Sequence, residues 1–181
     1  MRPTAKTLVL LSLLLALAIF AKPQKKEITD AEYIKQALSA GPKAVAEGAK
    51  VVRVLNDGSM KTIREGGNGF TCMVMGTDRM CNDANSMDFI HALMKKERPP
   101  DKVGISYMLA GDEGASNTDP YATGKTPDNH WIVTGPHIMV FGPQSKSLGY
   151  TQTKDPDPTK PYMMWAGTPY EHAMIPVETK R

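Results

Sequence analysis

Hydrophobic residues recur along this chain in three rhythms. From Leu8 to Phe20 a 13-residue run carries no charge. Between Ile28 and Leu38, and again between Asp83 and Lys96, apolar residues return every three or four positions, the helical period. From Lys50 onward, short β-branched or methionine-rich runs separated by Gly, Pro, Asn and Asp read as strands.

The first helix begins at Thr29, which caps the chain, with Glu32 completing a capping box. Ile28 and Tyr33 sit where a hydrophobic staple would be, and Ala31, Ile34 and Leu38 form the apolar face. Gly41-Pro42 ends the helix. Val51 to Leu55 and Met60 to Arg64 flank Asn56-Asp57-Gly58-Ser59, a hairpin signal. Gly66 to Gly69 reads as a second turn and Phe70 to Met75 as a third strand, so the three strands predict an antiparallel meander. Asp83 caps a second helix through Lys96, with Met87, Ile90 and Met94 as its stripe, widened by Phe89 and Leu93. Gly104 to Leu109 reads as a buried strand. Trp131 to Thr134, Ile138 to Phe141, Tyr162 to Trp165 and His172 to Val177 complete the set, with loops at 111–129 and 142–161. Strands outnumber helices, which predicts an α+β fold with a mainly antiparallel sheet, two principal helices and a single domain over 28–181.

The apolar run at the start changes the picture. Arg2 and Lys6 precede it, and small residues follow at Ala16, Ala18 and Ala21, the pattern of a signal peptide over 1–21. The run is short for a bilayer span. Residues 22–27 then read as a mobile leader. The expected protein is exported, to the bacterial periplasm or beyond, with no membrane span once the signal is removed. Removing 1–21 leaves one net positive charge, a balance that argues against nucleic acid as a partner. In an exported chain the two cysteines, Cys72 and Cys81, are expected to pair, with Gly76-Thr77-Asp78 turning the chain between them.

Candidate chemistry concentrates in the second half. The stretch 111–129 is long for a structureless loop, and such loops are usually functional or disordered. It carries Asp112, Glu113, Ser116, Asn117, Asp119, Tyr121 and Asp128, with His130 at its exit. These groups could bind a cation, a sugar or a polar small molecule, although the spacing is not that of a calcium loop. Asx and Ser turns on a solvated surface would explain the same residues. Trp165 and Tyr170, in the segment 161–170, could wall a ligand pocket.

Among the four histidines, His91 lies mid-helix and reads as structural. His137 and His172, with Glu171, form a candidate transition-metal set that only tertiary contacts could assemble. A hydrolase-like pairing of Asp112 or Asp119 with a histidine is an alternative, although the G-x-S-x-G elbow is absent. The twelve methionines read as adaptable core fillers in preference to copper ligands. A structural or partner-binding role would instead expose Trp131 and Trp165 on a flat patch.

Gly66 to Cys72, Gly104 to Pro120 (GISYMLAGDEGASNTDP), Gly135-Pro136-His137 and Pro161 to Val177 (PYMMWAGTPYEHAMIPV) carry a resemblance that covers most of the chain after the signal segment. The chain resembles a group of exported bacterial proteins with no established activity, in which Trp often stands where this chain has Phe70. The resemblance implies an envelope location and one domain, and it carries over no cofactor or site residue. The expectation is a binding module for a small polar ligand or metal ion. Its site would form where the 66–72, 111–130, 135–137 and 166–172 segments meet.

Overall fold

The computed structural model describes residues 28–178. The expected signal peptide (1–21) and leader (22–27) fall outside the described residues. The chain order is α1 (Asp30–Leu38), a short α2 (Lys43–Ala46), β1 (Lys50–Val54), β2 (Met60–Arg64), β3 (Thr71–Met75), β4 (Asp78–Asn82), α3 (Ala84–Lys95), β5 (Gly104–Met108), β6 (Ala115–Ser116), β7 (Trp131–Ile132), β8 (His137–Phe141), β9 (Tyr162–Met164) and β10 (His172–Pro176). Eight strands make one sheet in the order β2-β1-β3-β4-β5-β8-β10-β9, and β6 pairs with β7 beside it. Among the strands of the described residues, only β1 and β3 pair in parallel, beside an isolated parallel bridge of Thr151 with Tyr162; the fold is α+β with two principal helices.

Local chemistry sets the helix starts. The Thr29 hydroxyl accepts from the Glu32 N–H at 3.2 Å, and the Glu32 carboxylate accepts from the Thr29 N–H at 2.9 Å. Asp83 accepts from the Ser86 N–H at 2.7 Å and from the Ile105 N–H at 2.9 Å, so one side chain caps α3 and joins it to β5. The buried faces keep most of the expected stripes, with Ile34, Leu38, Met87 and Leu93 packed on the core, and depart from them at one position in each helix. Tyr33 and Ala37 are buried on α1 while Ala31 is exposed, and Ser86, Phe89, Ile90 and Ala92 are buried on α3 while Met94 is exposed. Periodicity gives the helix, but the sheet beneath decides which face is covered.

The meander is corrected. β3 does not return beside β2; it passes over the start of β1 and pairs with its other edge. Gly66 makes the crossing possible, because a Cβ there would lie 2.1 Å from the Lys50 nitrogen. The Gly67 N–H then donates to the Gly48 carbonyl at 3.0 Å, fixing the crossing. The glycines read as a hairpin turn are a crossover. Four further elements were missed: the short α2, β4, β6 within the 111–129 segment read as loop, and a 3-10 helix at Pro143–Leu148 within the other.

β3 and β4 form a tight hairpin with Cys72 directly opposite Cys81, and the two are disulfide-bonded with Cα atoms 4.0 Å apart. Closing so small a loop stabilises by about 2–3 kcal/mol. The bond lies in a buried cluster with Tyr33, Ala37, Ala40 and Val51, under α1. Replacing both cysteines by alanine should lower the unfolding free energy by about 2–3 kcal/mol in urea titration, without changing the sheet's circular dichroism. A loss under about 0.5 kcal/mol would show that cross-strand pairing alone holds this hairpin.

The two faces of the sheet are built differently. The face toward α1 carries Val51, Cys72 and Cys81. The face toward α3 carries methionines on nearly every strand: Met73, Met80, Met108, Met139, Met164 and Met174 are buried in one cluster with Phe89, Ile90 and Phe141. These methionines pack as core residues, as expected, while Met94 is exposed. Their flexible thioethers, packed under aromatic side chains, leave a cavity at that face.

Candidate functional site

The cavity has a volume of about 290 Å3 and lies between the methionine face, α3 and the 111–131 segment. Six methionines, Phe89, Phe141 and both tryptophans of the chain give it apolar walls. Its polar groups are Asp78, Asp112, His137 and His172.

The two histidines are set in the same way. The β8 and β10 backbones place His137 and His172 on the inner face, 0 % and 1 % exposed. Each ring binds the carbonyl two residues before it: His137 Nδ1 lies 2.8 Å from the Gly135 oxygen and His172 Nδ1 lies 2.9 Å from the Tyr170 oxygen. A carbonyl only accepts, so Nδ1 carries the proton and Nε2 a lone pair. Both Nε2 atoms are buried without a hydrogen-bond partner. Burial pushes the His137 imidazolium below its ordinary range, opposed by the Gly135 carbonyl and by Asp78. Burial holds His172 down to about 4, and the nearby His137 adds to that shift. Both rings are therefore neutral electron-pair donors at neutral pH. His172 is also enclosed by aromatic rings, with centroids 4.9 Å from Phe141 and 4.9 Å from Trp165.

Two carboxylates line the same cavity, and Asp78 is near enough to His137 to oppose its shift. Asp112 accepts from the Thr134 N–H at 2.8 Å and the Gly114 N–H at 3.0 Å. Asp78 accepts from the Glu113 N–H at 3.4 Å. Burial raises both carboxyls above the usual range, and each has an acidic neighbour that raises it further. The cavity thus presents imidazole and carboxylate acceptors, which suits a cation or an N–H or O–H donor.

The 111–131 segment covers the cavity and is fastened at several points. β6 pairs with β7, the Asn117 N–H donates to the His130 carbonyl at 2.9 Å, and the Trp165 indole N–H donates to the Ser116 carbonyl at 2.8 Å. Gly114 permits the close fit, since a Cβ there would lie 2.2 Å from the Trp131 indole nitrogen.

Of the candidates from sequence, Asp112, Trp165, His137 and His172 line the cavity. The others have structural partners. Ser116 accepts from the Thr118 and Asp119 N–H groups, and Asp119 accepts from the Tyr121 N–H, so both make local turns. Asn117 donates to the Thr153 and Lys154 carbonyls, each at 3.1 Å, and pins the segment to the 151–155 strap. His130 meets the Asp155 carboxylate at the surface, 2.9 Å away. The Tyr170 hydroxyl donates to the Glu97 carbonyl and accepts from Tyr121, tying α3 to the cover. Glu171 binds Lys146 at 3.0 Å, Gln152 and the Gly167 N–H, and does not line the cavity beside His172. His91 is exposed on α3. The 66–72 segment also lies elsewhere, and Trp131 and Trp165 wall the cavity instead of forming an exposed patch.

Sequence reasoning missed Asp78, Trp131 and the methionines as lining residues. One signal was present: His137-Ile138-Met139 and His172-Ala173-Met174 repeat a His-x-Met triplet on two strands, and alternation puts both residues of each triplet on one face. Among the described residues, no three His, Cys, Asp or Glu side chains meet to hold a metal ion, and no helix is long and apolar enough to cross a membrane. No family model, curated protein or solved structure matches the chain.

Proposed function

We propose that this is an exported binding protein whose site is the methionine-walled cavity under α3, and that its ligand is a small cation that can engage a lone pair: a metal ion, or a compact ammonium through its N–H groups. One observation carries the reading. Two buried imidazoles have their Nδ1 protons fixed by backbone carbonyls, and their Nε2 lone pairs reach no protein donor. Unpaired buried acceptors are costly, and a ligand that pairs them recovers that cost. The carboxylates that line the same cavity favour the same sign of ligand.

Both tryptophans line the site, so their fluorescence reports its occupancy. Titrating the chain that begins at Lys22 with Ag(I), Zn(II) and benzylamine should give a saturable change for at least one of them. Asp112→Leu should leave Thr134 and Gly114 N–H groups unpaired, destabilise the cover by about 1–3 kcal/mol and weaken amine binding. Silence from every probe in fluorescence and in thermal unfolding would sink the binding reading. Export rests on the 1–21 pattern; a secreted chain should begin near Lys22 on N-terminal sequencing, and one retaining Met1 would overturn it.

An enzymatic reading keeps one supporting feature. Asp112 and His137 line the same cavity with their proton affinities moved toward each other by burial. That is the setting of an acid–base pair. Ser116, the serine nearest in sequence, is committed to its turn.

A further inference from the structure

The donors that face the cavity identify a class of ligand. Across β8 and β10, Met139 stands directly opposite Met174. His172 stands opposite Met164 on β9, and His137 opposite Met108 on β5. All six side chains line the cavity. The two His-x-Met triplets therefore form a quartet on neighbouring strands, with a pair of thioethers between two imidazoles. Each imidazole has its Nδ1 bound to a backbone carbonyl, the outer arrangement that fixes the tautomer of metal-ligating histidines.

Neutral imidazole and thioether donors suit a soft, monovalent ion. Hard divalent ions such as calcium take oxygen ligands. A buried divalent charge would also need anionic donors beside it. Both cysteines are bridged on the far face and Glu171 is held by Lys146, so the carboxylates left in the cavity are Asp112, which already accepts from two backbone N–H groups, and Asp78, which accepts from one. Trp165, whose ring packs edge-to-face with that of His172 at 4.9 Å between centroids, lines the same cavity.

Building on the binding reading above, we propose that the cavity holds one cuprous ion, with His137 and His172 Nε2 and the thioethers of Met139 and Met174 as its donors. The ion enters as Cu(I) and leaves as Cu(I), with no redox step.

The test loads the chain beginning at Lys22 with Cu(I) anaerobically, in competition with a chromophoric Cu(I) chelator, and reads both copper retention and tryptophan fluorescence. One Cu(I) per chain is expected. His137→Leu and His172→Leu should each weaken it by about 100-fold, and the paired change Met139→Leu with Met174→Leu by at least about 10-fold. The methionine pair is volume-conserving, so it should fold even where a histidine variant does not. Its thermal unfolding should stay within a few degrees of the parent while copper retention falls. Copper retention unchanged in the folded methionine variant would overturn the assignment. If benzylamine or Zn(II) gives a saturable signal and Cu(I) none, the cuprous assignment fails and the cavity reading stands. If Cu(I), Zn(II), Ag(I) and benzylamine are all silent, both fail.

Discussion

Phe89→Ala should lower the unfolding free energy by about 3–5 kcal/mol, the usual cost of emptying a buried aromatic site. Phe89 is the ring through which α3 grips the sheet. It is buried, stacks on Phe141 at 4.2 Å between centroids, and meets Tyr170 edge-on at 6.1 Å. It also walls the cavity, so truncation merges new empty space with existing space, and the neighbours have little to collapse onto. Urea unfolding measures the loss. His91→Ala on the exposed side of the same helix is the control, expected within about 0.5 kcal/mol of the parent. Equal effects at the two positions would mean that α3 is held by its caps and not by this stack. At moderate destabilisation the variant should still fold, and tryptophan fluorescence should shift because Trp165 lies on the same cavity.

Acid should weaken the fold through His172. The buried ring titrates at about 4. In an unfolded chain a histidine titrates near 6.5. Between these values the unfolded chain binds more protons than the folded one, so stability is complete above about pH 6.5 and falls as pH drops toward 4. The full difference corresponds to about 3 kcal/mol for this one group. His137 moves in the same direction. Asp78 and Asp112 move oppositely: their raised folded values mean that they lose stabilisation as pH rises through those values, which partly offsets the histidines at the acidic end. The comparison that isolates His172 is the pH dependence of urea unfolding in the parent and in His172→Asn. The parent should lose markedly more between pH 7 and 4.5. Matching slopes would show that the ring takes up its proton in place. Occupancy of the cavity should sharpen the same dependence, because protonating Nε2 removes the lone pair a ligand needs.

The elements that could be read from the chain are those whose causes are local. The Thr29–Glu32 box and the Asp83 cap act within one turn of helix, so residue identity and spacing suffice. The Asp57-Gly58 hairpin turn and the Cys72–Cys81 bridge close over a few residues, and composition alone marks them. The α+β class followed from counting such pieces. The order of strands did not, because it depends on where the chain can cross. Gly66 looks like any turn glycine until the Ala49–Lys50 backbone is seen beneath it.

The site was legible only in part, for the same reason. Asp112, His137, His172 and Trp165 stand out by residue type, but so did Ser116, Asn117, Asp119, His130, Tyr170 and Glu171, which lie outside the cavity lining and make turns, straps and surface pairs. Which histidine has a carbonyl two residues back to fix its ring, and which meets an aspartate at the surface, is decided by strand geometry and by neighbours far along the chain. The facing of Met139 with Met174, and of Met108 with His137, is a matter of register between strands separated by about thirty residues. Sequence periodicity says that alternate residues share a face. Only the packed sheet says which faces meet, because cross-strand pairing and the burial of apolar surface are settled together when the whole chain folds.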